Sequence, residues 1–264
     1  MLKTRVMPCL LLRGRALVKT IKFKTPSYVG DPINTVRIYN EKEVDELIFL
    51  DITATAAGKE PPYDLLAEIA SECFMPFTYG GGIRSLDQIK RIFSLGVEKV
   101  AINSHAAERP SLIREAADAF GSQSIVASID VKKKFFGGYD VYTRGGTRAV
   151  GRDPAAYAAD LENLGAGEIL LTAIDRDGTM TGYDLALIEH VSSAVGIPLI
   201  ACGGAGCLED FRYAKRAGAS AVAAGSMVVY QGTHRAVLIN FPPRDALEEV
   251  LDERNVLPVY GNVG

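Results

Sequence analysis

The chain repeats itself at about half its length, and no other feature of the sequence restricts the fold as strongly. Three segments of the first half recur in the same order in the second half: DELIFLDIT (45–53) is similar to GEILLTAID (167–175), FTYGGGI (77–83) to IACGGAG (200–206), and GVEKVAINS (96–104) to GASAVAAGS (218–226). An internal repeat of this kind predicts two similar halves that pack on each other. An open doubly wound sheet also alternates strands and helices, but a half-length repeat favours closure into a barrel.

Short apolar or β-branched runs alternate with helix-like segments, which is typical of repeated βα units. Eight runs predict strands, at 5–11, 46–51, 76–80, 99–103, 124–130, 168–172, 198–202 and 220–225. Helices are predicted at 31–44, 85–95, 110–120, 154–164 and 208–216, with Asp31 and Ser85 as N-caps. The Gly-rich segment 131–151 predicts a β-hairpin on the fifth βα loop. We therefore expect an α/β chain that folds over residues 1–264 as a single (β/α)8 TIM barrel, built from two similar half-barrels.

The composition excludes several classes of protein. Of the 264 residues, 48% are hydrophobic, which is enough to bury one large core. The net charge of −3 gives no basic field and argues against nucleic acid as a partner. The N-terminal segment carries Lys3, Arg5, Arg13 and Arg15 and lacks the pattern of a signal peptide. Apolar runs fall short of the roughly 18 residues of a membrane span, so a membrane partner is not expected.

The cysteines point to an ordinary reducing compartment. Cys9, Cys73, Cys202 and Cys207 lie in apolar or Gly-rich segments and do not have the spacing of metal ligands. This pattern predicts buried thiols in a cytoplasmic protein, with neither a metal site nor a cofactor.

Glycine pairs and small polar residues predict two phosphate sites, one in each half. The residues that follow the relevant strands are Gly81, Gly82, Asn103 and Ser104 in the first half, and Gly203, Gly204, Gly225 and Ser226 in the second half. Glycine lets a phosphate oxygen approach backbone N–H groups, and a following helix N-terminus offers further donors. Glycines needed only for tight turns are the alternative, but the duplication favours binding of a ligand with two phosphates or two charged ends.

The loop after the first strand is basic. It contains Arg13, Arg15, Lys19, Lys22 and Lys24, and the segment 11–24 contains no acid. Such a loop could close over an anionic ligand, or it could simply be a solvated basic loop, and the sequence leaves both possibilities open.

Four carboxylates follow strands and are expected to meet at the C-terminal rim of the barrel. They are Asp51, Asp130, Asp175 and Asp177. In a barrel that rim carries the groups that transfer protons, and some of these residues are expected to be caps or partners of arginine instead. Asp130, at the end of the fifth strand, is the strongest catalytic candidate.

The period of two along a strand predicts a second charged layer at the opposite end. If Asn103 and Thr172 point into the mouth, then Arg5, Glu46, Lys99 and Glu168 point inward at the floor. Inward charges are costly unless they are paired, so we expect a ring of alternating ion pairs. From the residues alone, such a ring is either a structural plug or a gate.

The ordered motifs RVMPCL, DELIFLDITA, GGGIRS, EKVAINS, AFGSQSIVASID, GAGEILLTAIDRDGTMTGYD and IACGGAG resemble the cyclase subunit of imidazole glycerol phosphate synthase, the HisF family, from residue 1 to about residue 230. The resemblance implies a ligand with a phosphate at each end, and a glutaminase partner (HisH-like) at the N-terminal face that supplies ammonia along the barrel axis. It also implies that Arg5, Glu46, Lys99 and Glu168 gate the ammonia. The ligand-binding positions that it implies are Lys19, Gly82, Asn103, Ser104, Asp177, Gly178, Gly203, Gly204, Gly225 and Ser226.

The chain departs from that family at the mouth. The family's two catalytic aspartates correspond to positions 11 and 130, and here position 11 is Leu11. Loss of a general acid or base typically removes about 10²–10⁴ in rate. Lys132, Lys133 and Lys134 after Asp130, Cys202 in place of the usual serine, and a divergent tail after Val229 are further departures.

A branch of the family with an altered mouth is similar in its opening segments, 8–12 and 17–24, and acts in acetamidino modification of surface sugars. The resemblance to this branch implies a barrel that passes ammonia to an N-acetyl sugar amidotransferase in lipopolysaccharide O-antigen biosynthesis. Two alternatives are an authentic cyclase-lyase of histidine biosynthesis and a non-catalytic activator of a glutaminase. The authentic cyclase-lyase alone predicts turnover of the histidine-pathway nucleotide with ammonium despite Leu11, so this activity would separate it from the other two hypotheses.

Overall fold

The computed structural model describes residues 4–252 of the chain. Eight parallel strands form a closed wall: β1 (Arg5–Arg13), β4 (Leu47–Asp51), β5 (Phe77–Gly80), β6 (Lys99–Ile102), β7 (Ile125–Lys133), β10 (Glu168–Ala173), β11 (Leu199–Cys202) and β12 (Ala221–Ala224). Pairing of β1 with β12 and of β7 with β10 closes the cylinder. The predicted TIM barrel is confirmed. Its predicted extent over 1–264 stays a prediction, because 1–3 and 253–264 lie outside the described residues.

The helices cover the outside of the wall. They are α1 (Pro32–Glu41), α2 (Tyr63–Glu72), α3 (Leu86–Ser94), α4 (Ser104–Glu108), α5 (Ser111–Phe120), α6 (Pro154–Asn163), α7 (Leu185–Ser192), α8 (Leu208–Arg216), α9 (Ser226–Val229) and α10 (Arg244–Leu251), with a 3₁₀ turn at Ser122–Ser124. All five predicted helices are present, and both predicted N-caps are formed: Asp31 accepts from the Asn34 N–H at 2.9 Å, and Ser85 from the Gln88 N–H at 3.3 Å. Helix α1 ends three residues earlier than predicted.

Three hairpins extend beyond the wall. The pair β8 (Tyr139–Thr143) and β9 (Arg148–Ala149) confirms the excursion predicted for the fifth βα loop. The pair β13 (Tyr230–Gln231) and β14 (Ala236–Val237) lies in the tail. In the first βα loop, β1 continues to Arg13 and β2 (Ala16–Lys19) returns antiparallel to it, followed by β3 (Ser27–Gly30). The first part of the basic loop is therefore ordered as a hairpin, which its charge pattern did not predict.

The wall separates two apolar cores. The larger core lies between the strands and the helices, and the smaller one fills the barrel interior with Met7, Ile48, Val126, Leu170, Ile200 and smaller side chains. Full burial of each large apolar side chain contributes about 1.5–3 kcal/mol, so the interior is a packed layer between the two ends of the barrel. Within residues 4–252, the helices are all too short or too polar to cross a bilayer.

Candidate functional site

The floor of the barrel carries a closed ring of four charged side chains, which we call the floor ring. Arg5 at the start of β1 reaches both acids: its Nη1 lies 2.6 Å from Glu46 Oε2, and its Nη2 lies 2.6 Å from Glu168 Oε1. Lys99 Nζ lies opposite, 3.1 Å from Glu46 Oε1 and 3.0 Å from Glu168 Oε2. Each cation therefore bridges both acids, and the predicted alternation of charges is present in the structure.

The floor ring balances its own charges in a half-buried place. Burial opposes the charged guanidinium of Arg5, but attraction by Glu168 and Glu46 outweighs it, so the pKa of Arg5 is raised. The side chains of Glu46 and Glu168 are buried, whereas that of Arg5 remains 29% exposed. Removing one partner would leave a buried charge without compensation, which is the costly case for an ion pair.

The barrel interior connects the floor ring with a pocket at the opposite end. Arg5 lies four residues before Cys9 on β1, which is about 13 Å along a strand. The inward positions between these two levels are apolar and belong to Met7, Ile48, Val126, Leu170 and Ile200. A small neutral molecule can pass such a layer at far lower cost than an ion can, because an ion would lose its hydration.

A pocket of about 330 Å³ opens at the C-terminal ends of the strands. Its base is formed by inward residues of the wall, among them Leu11, Leu50, Asp130 and Thr172. Concave sites of this size and position are where barrel enzymes bind ligands. Several lining residues were not predicted, including Thr20, Phe23, His105, Arg144 and Thr147. They lie in the βα loops and, for His105, in the short helix α4, whose course the strand period does not determine.

Asp130 is a half-buried carboxyl group at the base of the pocket. Burial, together with repulsion from Asp177, raises the pKa of Asp130 to about 7. Its only side-chain hydrogen bond among the described residues is from Asn103 Nδ2 to Oδ2, at 3.3 Å. A group with this pKa exchanges a proton readily near neutral pH, as a general acid or base must.

The other three rim acids are held by structural partners. Asp51 Oδ1 accepts from the backbone N–H groups of Thr53 and Ala54, and Asp175 accepts from the N–H of Lys133. Asp177 is paired with Lys19, as described below. Of the four acids that the sequence places at the rim, Asp130 alone lacks a cation or a backbone partner within residues 4–252.

The glycine pair of the first half lies beside the pocket, together with Asn103 and Ser104. Ser104 Oγ accepts from the Arg144 N–H at 3.0 Å and donates to Asn103 Oδ1 at 3.2 Å. A Cβ on Gly81 would lie 2.6 Å from the Asp51 carbonyl oxygen, and one on Gly82 would lie 2.8 Å from the Lys59 carbonyl oxygen. Packing therefore already requires glycine at both positions, and the pair also keeps this side of the pocket open.

The corresponding cradle of the second half is almost filled. It measures about 10 Å³ and is lined by Gly178, Gly203, Gly204, Gly225 and Ser226, room for about one water molecule. Lys19 occupies the cradle, since its Nζ lies 2.9 Å from the place of a Cβ on Gly225.

The Lys19 ammonium is held in the cradle by Asp177. Lys19 Nζ lies 2.8 Å from Asp177 Oδ1, and Thr20 Oγ1 donates to Asp177 Oδ2 at 2.9 Å. Burial opposes the charge of Lys19, but attraction by Asp177 outweighs it and raises the pKa of Lys19. The basic loop thus contributes a buried, paired cation.

Ser226 is the polar group of this cradle that lacks a partner. Its Oγ is buried and makes no hydrogen bond with the described residues, and the whole residue is only 4% exposed. A buried hydroxyl without a partner costs about 1–3 kcal/mol, so an unfilled hydrogen bond of this kind points to a ligand or an ordered water. The predicted ligand residues Lys19, Asp177, Gly178 and Ser226 are therefore together in one place.

The cysteines only partly match their prediction. Cys9 and Cys202 are buried at the base of the pocket. The neighbouring thiol of Cys202, together with burial, raises the pKa of Cys9 well above its ordinary value. Cys73 is half-buried and Cys207 is exposed, so the prediction of four buried thiols was wrong for these two. Among the described residues, acids, histidines and cysteines form no cluster suited to a metal ion.

Comparison with known proteins agrees with this geometry. The family model described as "Histidine biosynthesis protein" matches residues 5–235. A Pseudomonas aeruginosa protein named "Putative imidazole glycerol phosphate synthase subunit hisF2" is 57% identical over 94% of this chain and 99% of its own length. "Putative imidazole glycerol phosphate synthase subunit hisF3" of Vibrio vulnificus is 46% identical over 96% of this chain and 98% of its own length. "Imidazole glycerol phosphate synthase subunit HisF" of Thermobifida fusca is 45% identical over 86% of this chain and 90% of its own length.

The fold and the two charged ends define a (β/α)8 barrel with a ligand pocket at its mouth. The matches cover most of the chain and most of each relative, so the chain belongs to the HisF family of histidine biosynthesis proteins.

Proposed function

We propose that this barrel conducts ammonia from a glutaminase at its floor to an amidation reaction at its mouth, and that it does not itself carry out cyclisation. The reaction converts the acetamido group of an N-acetyl sugar to an acetamidino group in lipopolysaccharide O-antigen biosynthesis. One observation carries the proposal: the floor ring is complete, while Leu11 replaces the acid that would face Asp130.

The floor end supports a glutaminase partner. The relatives are named as subunits of a synthase, which implies at least one further subunit. Phe74 lies at the floor end, in the turn between α2 and β5, and its side chain is 87% exposed. The backbone of Phe74 is fixed, because its N–H donates to Asn40 Oδ1 at 3.1 Å. A rigidly presented aromatic ring beside a charged ring is suited to docking a protein.

The floor ring would act as a gate through its lysine. Arg5 binds the two acids with the shortest contacts, at 2.6 Å, whereas Lys99 lies 3.1 and 3.0 Å away. Lysine is a point charge on a flexible stem, so it can swing aside while the arginine fork keeps both acids in place. A neutral ammonia molecule would then enter the apolar interior, and ions would remain outside.

The mouth supports a changed reaction. Leu11 is 6% exposed and lines the pocket, and leucine has no proton to transfer. The other acids that line the pocket among the described residues do not take the place of an acid at position 11. Asp51 caps a turn, and Asp177 is paired with Lys19. Asp130 by itself can exchange one proton. The resemblance to the cyclases implies a second acid opposite it, and Leu11 cannot supply that acid.

The test is cyclase turnover by the purified barrel with the histidine-pathway nucleotide and saturating ammonium. We expect the wild type to show no turnover, and Leu11→Asp to gain activity if the second acid is the missing part. Leu50→Asp is the matched control, because Leu50 lines the same pocket on the neighbouring strand. Wild-type turnover near ordinary enzyme rates of about 1–10³ s⁻¹ would contradict the proposal and favour an authentic cyclase.

A further inference from the structure

Two phenylalanine rings project from the mouth end of the molecule, and we call Phe135 and Phe136 the aromatic knob. Their side chains are 95% and 97% exposed, and the ring centroids lie 5.1 Å apart in an edge-to-face arrangement. They occupy the turn between β7 and β8, closed by the Lys134 N–H to the Gly138 carbonyl at 3.0 Å. Two adjacent aromatic rings in water contribute nothing to folding, and such exposure marks an interaction site.

The stem below the aromatic knob is firmly attached to the barrel. Strand β7 leads directly from the pocket at Asp130 to Lys133, and β8 pairs with it in antiparallel register. Lys132 Nζ donates to the Gly146 carbonyl at 2.6 Å, and Lys133 Nζ lies 3.2 Å from Asp184 Oδ2. Phe135 follows Asp130 by five residues, about 16 Å at 3.3 Å per residue. The knob is therefore already held beside the mouth before a partner binds, so binding costs little conformational entropy.

The segment that leads into the aromatic knob is basic, with Lys132, Lys133 and Lys134 in a row, whereas the neighbouring acids Asp140 and Asp175 accept hydrogen bonds from backbone N–H groups. The stem uses Lys132 and Lys133 for its own contacts, but Lys134 forms no ion pair within residues 4–252. Exposed cations of the first βα loop extend the basic character of the mouth; they are Arg13, Lys22 and Lys24. A surface that matches this one would carry an apolar socket bordered by carboxylates.

We propose that the aromatic knob docks the enzyme that consumes the ammonia, through an apolar socket with an acidic border on that enzyme. The inference rests on the proposed function, because it places the consumer of ammonia at the end where the barrel interior opens. Aromatic residues near the centre of an interface commonly supply most of its binding energy. An anionic lipid surface is the competing partner, but one turn with two rings offers little apolar area for a membrane to bury.

The experiment compares wild type with the double variant Phe135→Ala and Phe136→Ala. The barrel, in complex with its glutaminase, is titrated with purified N-acetyl sugar amidotransferase, and the Kd is measured. We expect the Kd to rise at least about 10-fold in the double variant. Tyr28→Ala is the matched control, since Tyr28 is an aromatic residue of the first βα loop with 68% exposure, and its Kd should stay at the wild-type value.

Several results would overturn the inference. One is an unchanged Kd in the double variant, and another is a wild-type complex that does not bind the amidotransferase. A third is a loss of binding to phosphatidylglycerol vesicles by the double variant while its Kd for the amidotransferase is unchanged, which would assign the knob to a membrane. Transfer of ¹⁵N from glutamine to the sugar is measured in parallel. If ¹⁵N reaches the sugar but the Kd does not depend on the aromatic knob, only the docking surface is refuted. If the Kd depends on the knob but no ¹⁵N reaches the sugar, only the proposed function is refuted.

Discussion

The two ends of this barrel differ in whether their inward polar groups have partners within the chain. At the floor, Arg5 and Lys99 each contact both acids, so every charge of the floor ring is neutralised by its neighbours. At the mouth, the half-buried Asp130 has a pKa raised to about 7, and Ser226 has no hydrogen-bond partner among the described residues. The floor is complete within the chain, whereas the mouth lacks partners that a ligand can supply.

This difference separates an end whose charges are balanced within the chain from an end with unfilled polar groups. In a closed ring of two cations and two acids, replacement of one member by a neutral residue leaves an excess of one charge. At the mouth, an apolar side chain such as Leu11 lines the pocket and brings no charge that would need a partner. The comparison therefore predicts that substitutions at the floor act first on stability and conduction, and that substitutions at the mouth act first on chemistry and binding.

The largest effect is expected at the floor, from Glu46→Ala. Glu46 contacts Arg5 and Lys99 and accepts from Thr78 Oγ1 at 3.1 Å, so its loss leaves two cations that share the single acid Glu168 and one positive charge in excess. We expect the free energy of unfolding to fall by about 3–5 kcal/mol, measured by denaturant titration. The control is Glu68→Ala, which breaks an exposed pair with Arg15 and should cost at most about 1 kcal/mol. Equal losses of unfolding free energy in the two variants would show that the floor ring stabilises the fold no more than an exposed ion pair does.

At the mouth, Asp130→Asn tests the raised pKa through the pH dependence of stability. Below about pH 3 the carboxyl is protonated in both the folded and the unfolded chain and makes no difference between them. Between pH 4 and about 7 the unfolded chain ionises while the folded chain keeps its proton, so wild-type stability falls through this window. The rise from 3.8 to about 7 corresponds to at most about 4 kcal/mol.

Asp130→Asn should therefore be more stable than the wild type at pH 8, and the gain should vanish near pH 4. Asp118→Asn is the control for a surface carboxyl, because Asp118 is exposed on α5. An identical pH profile for the wild type and Asp130→Asn would refute the assignment.

The smallest effect is expected from Ser226→Ala. The Ser226 hydroxyl has no partner among the described residues, so its removal should raise the free energy of unfolding by up to about 1 kcal/mol. The change is measured by denaturant titration. Ser104→Ala is the comparison, because the Ser104 hydroxyl already bonds Asn103 and Arg144, so its loss should destabilise the fold. A loss of stability in Ser226→Ala would mean that the hydroxyl is satisfied in solution.

The sequence predicted the features that depend on strand period and failed where distant loops meet. The floor ring follows from alternate residues on four strands, so its members could be named without a structure. The pairing of Lys19 with Asp177 could not be predicted, because 158 positions separate the two residues and the first βα loop had no predicted strand. The hairpin β1–β2 carries Lys19 into the second cradle, and only the folded chain shows that this cation is buried.

The cysteines and the fifth βα loop show the same limit. Cys9 and Cys202 lie on strands separated by β12, and they line the same pocket because both side chains face inward at a similar level of the wall. The excursion at 131–151 was predicted from its alternation, but the exposure of Phe135 and Phe136 depends on the turn geometry that closes it.

The most direct test of conduction uses glutamine labelled with ¹⁵N in its side-chain amide. The barrel, its glutaminase and the N-acetyl sugar amidotransferase are mixed with labelled glutamine and an excess of unlabelled ammonium, and the label in the acetamidino product is measured by mass spectrometry. The proposed function predicts a product that is mostly ¹⁵N-labelled in the wild type and that loses the label in Glu168→Ala, whose floor ring is broken. A wild-type product labelled only in proportion to the free ammonium pool would contradict it.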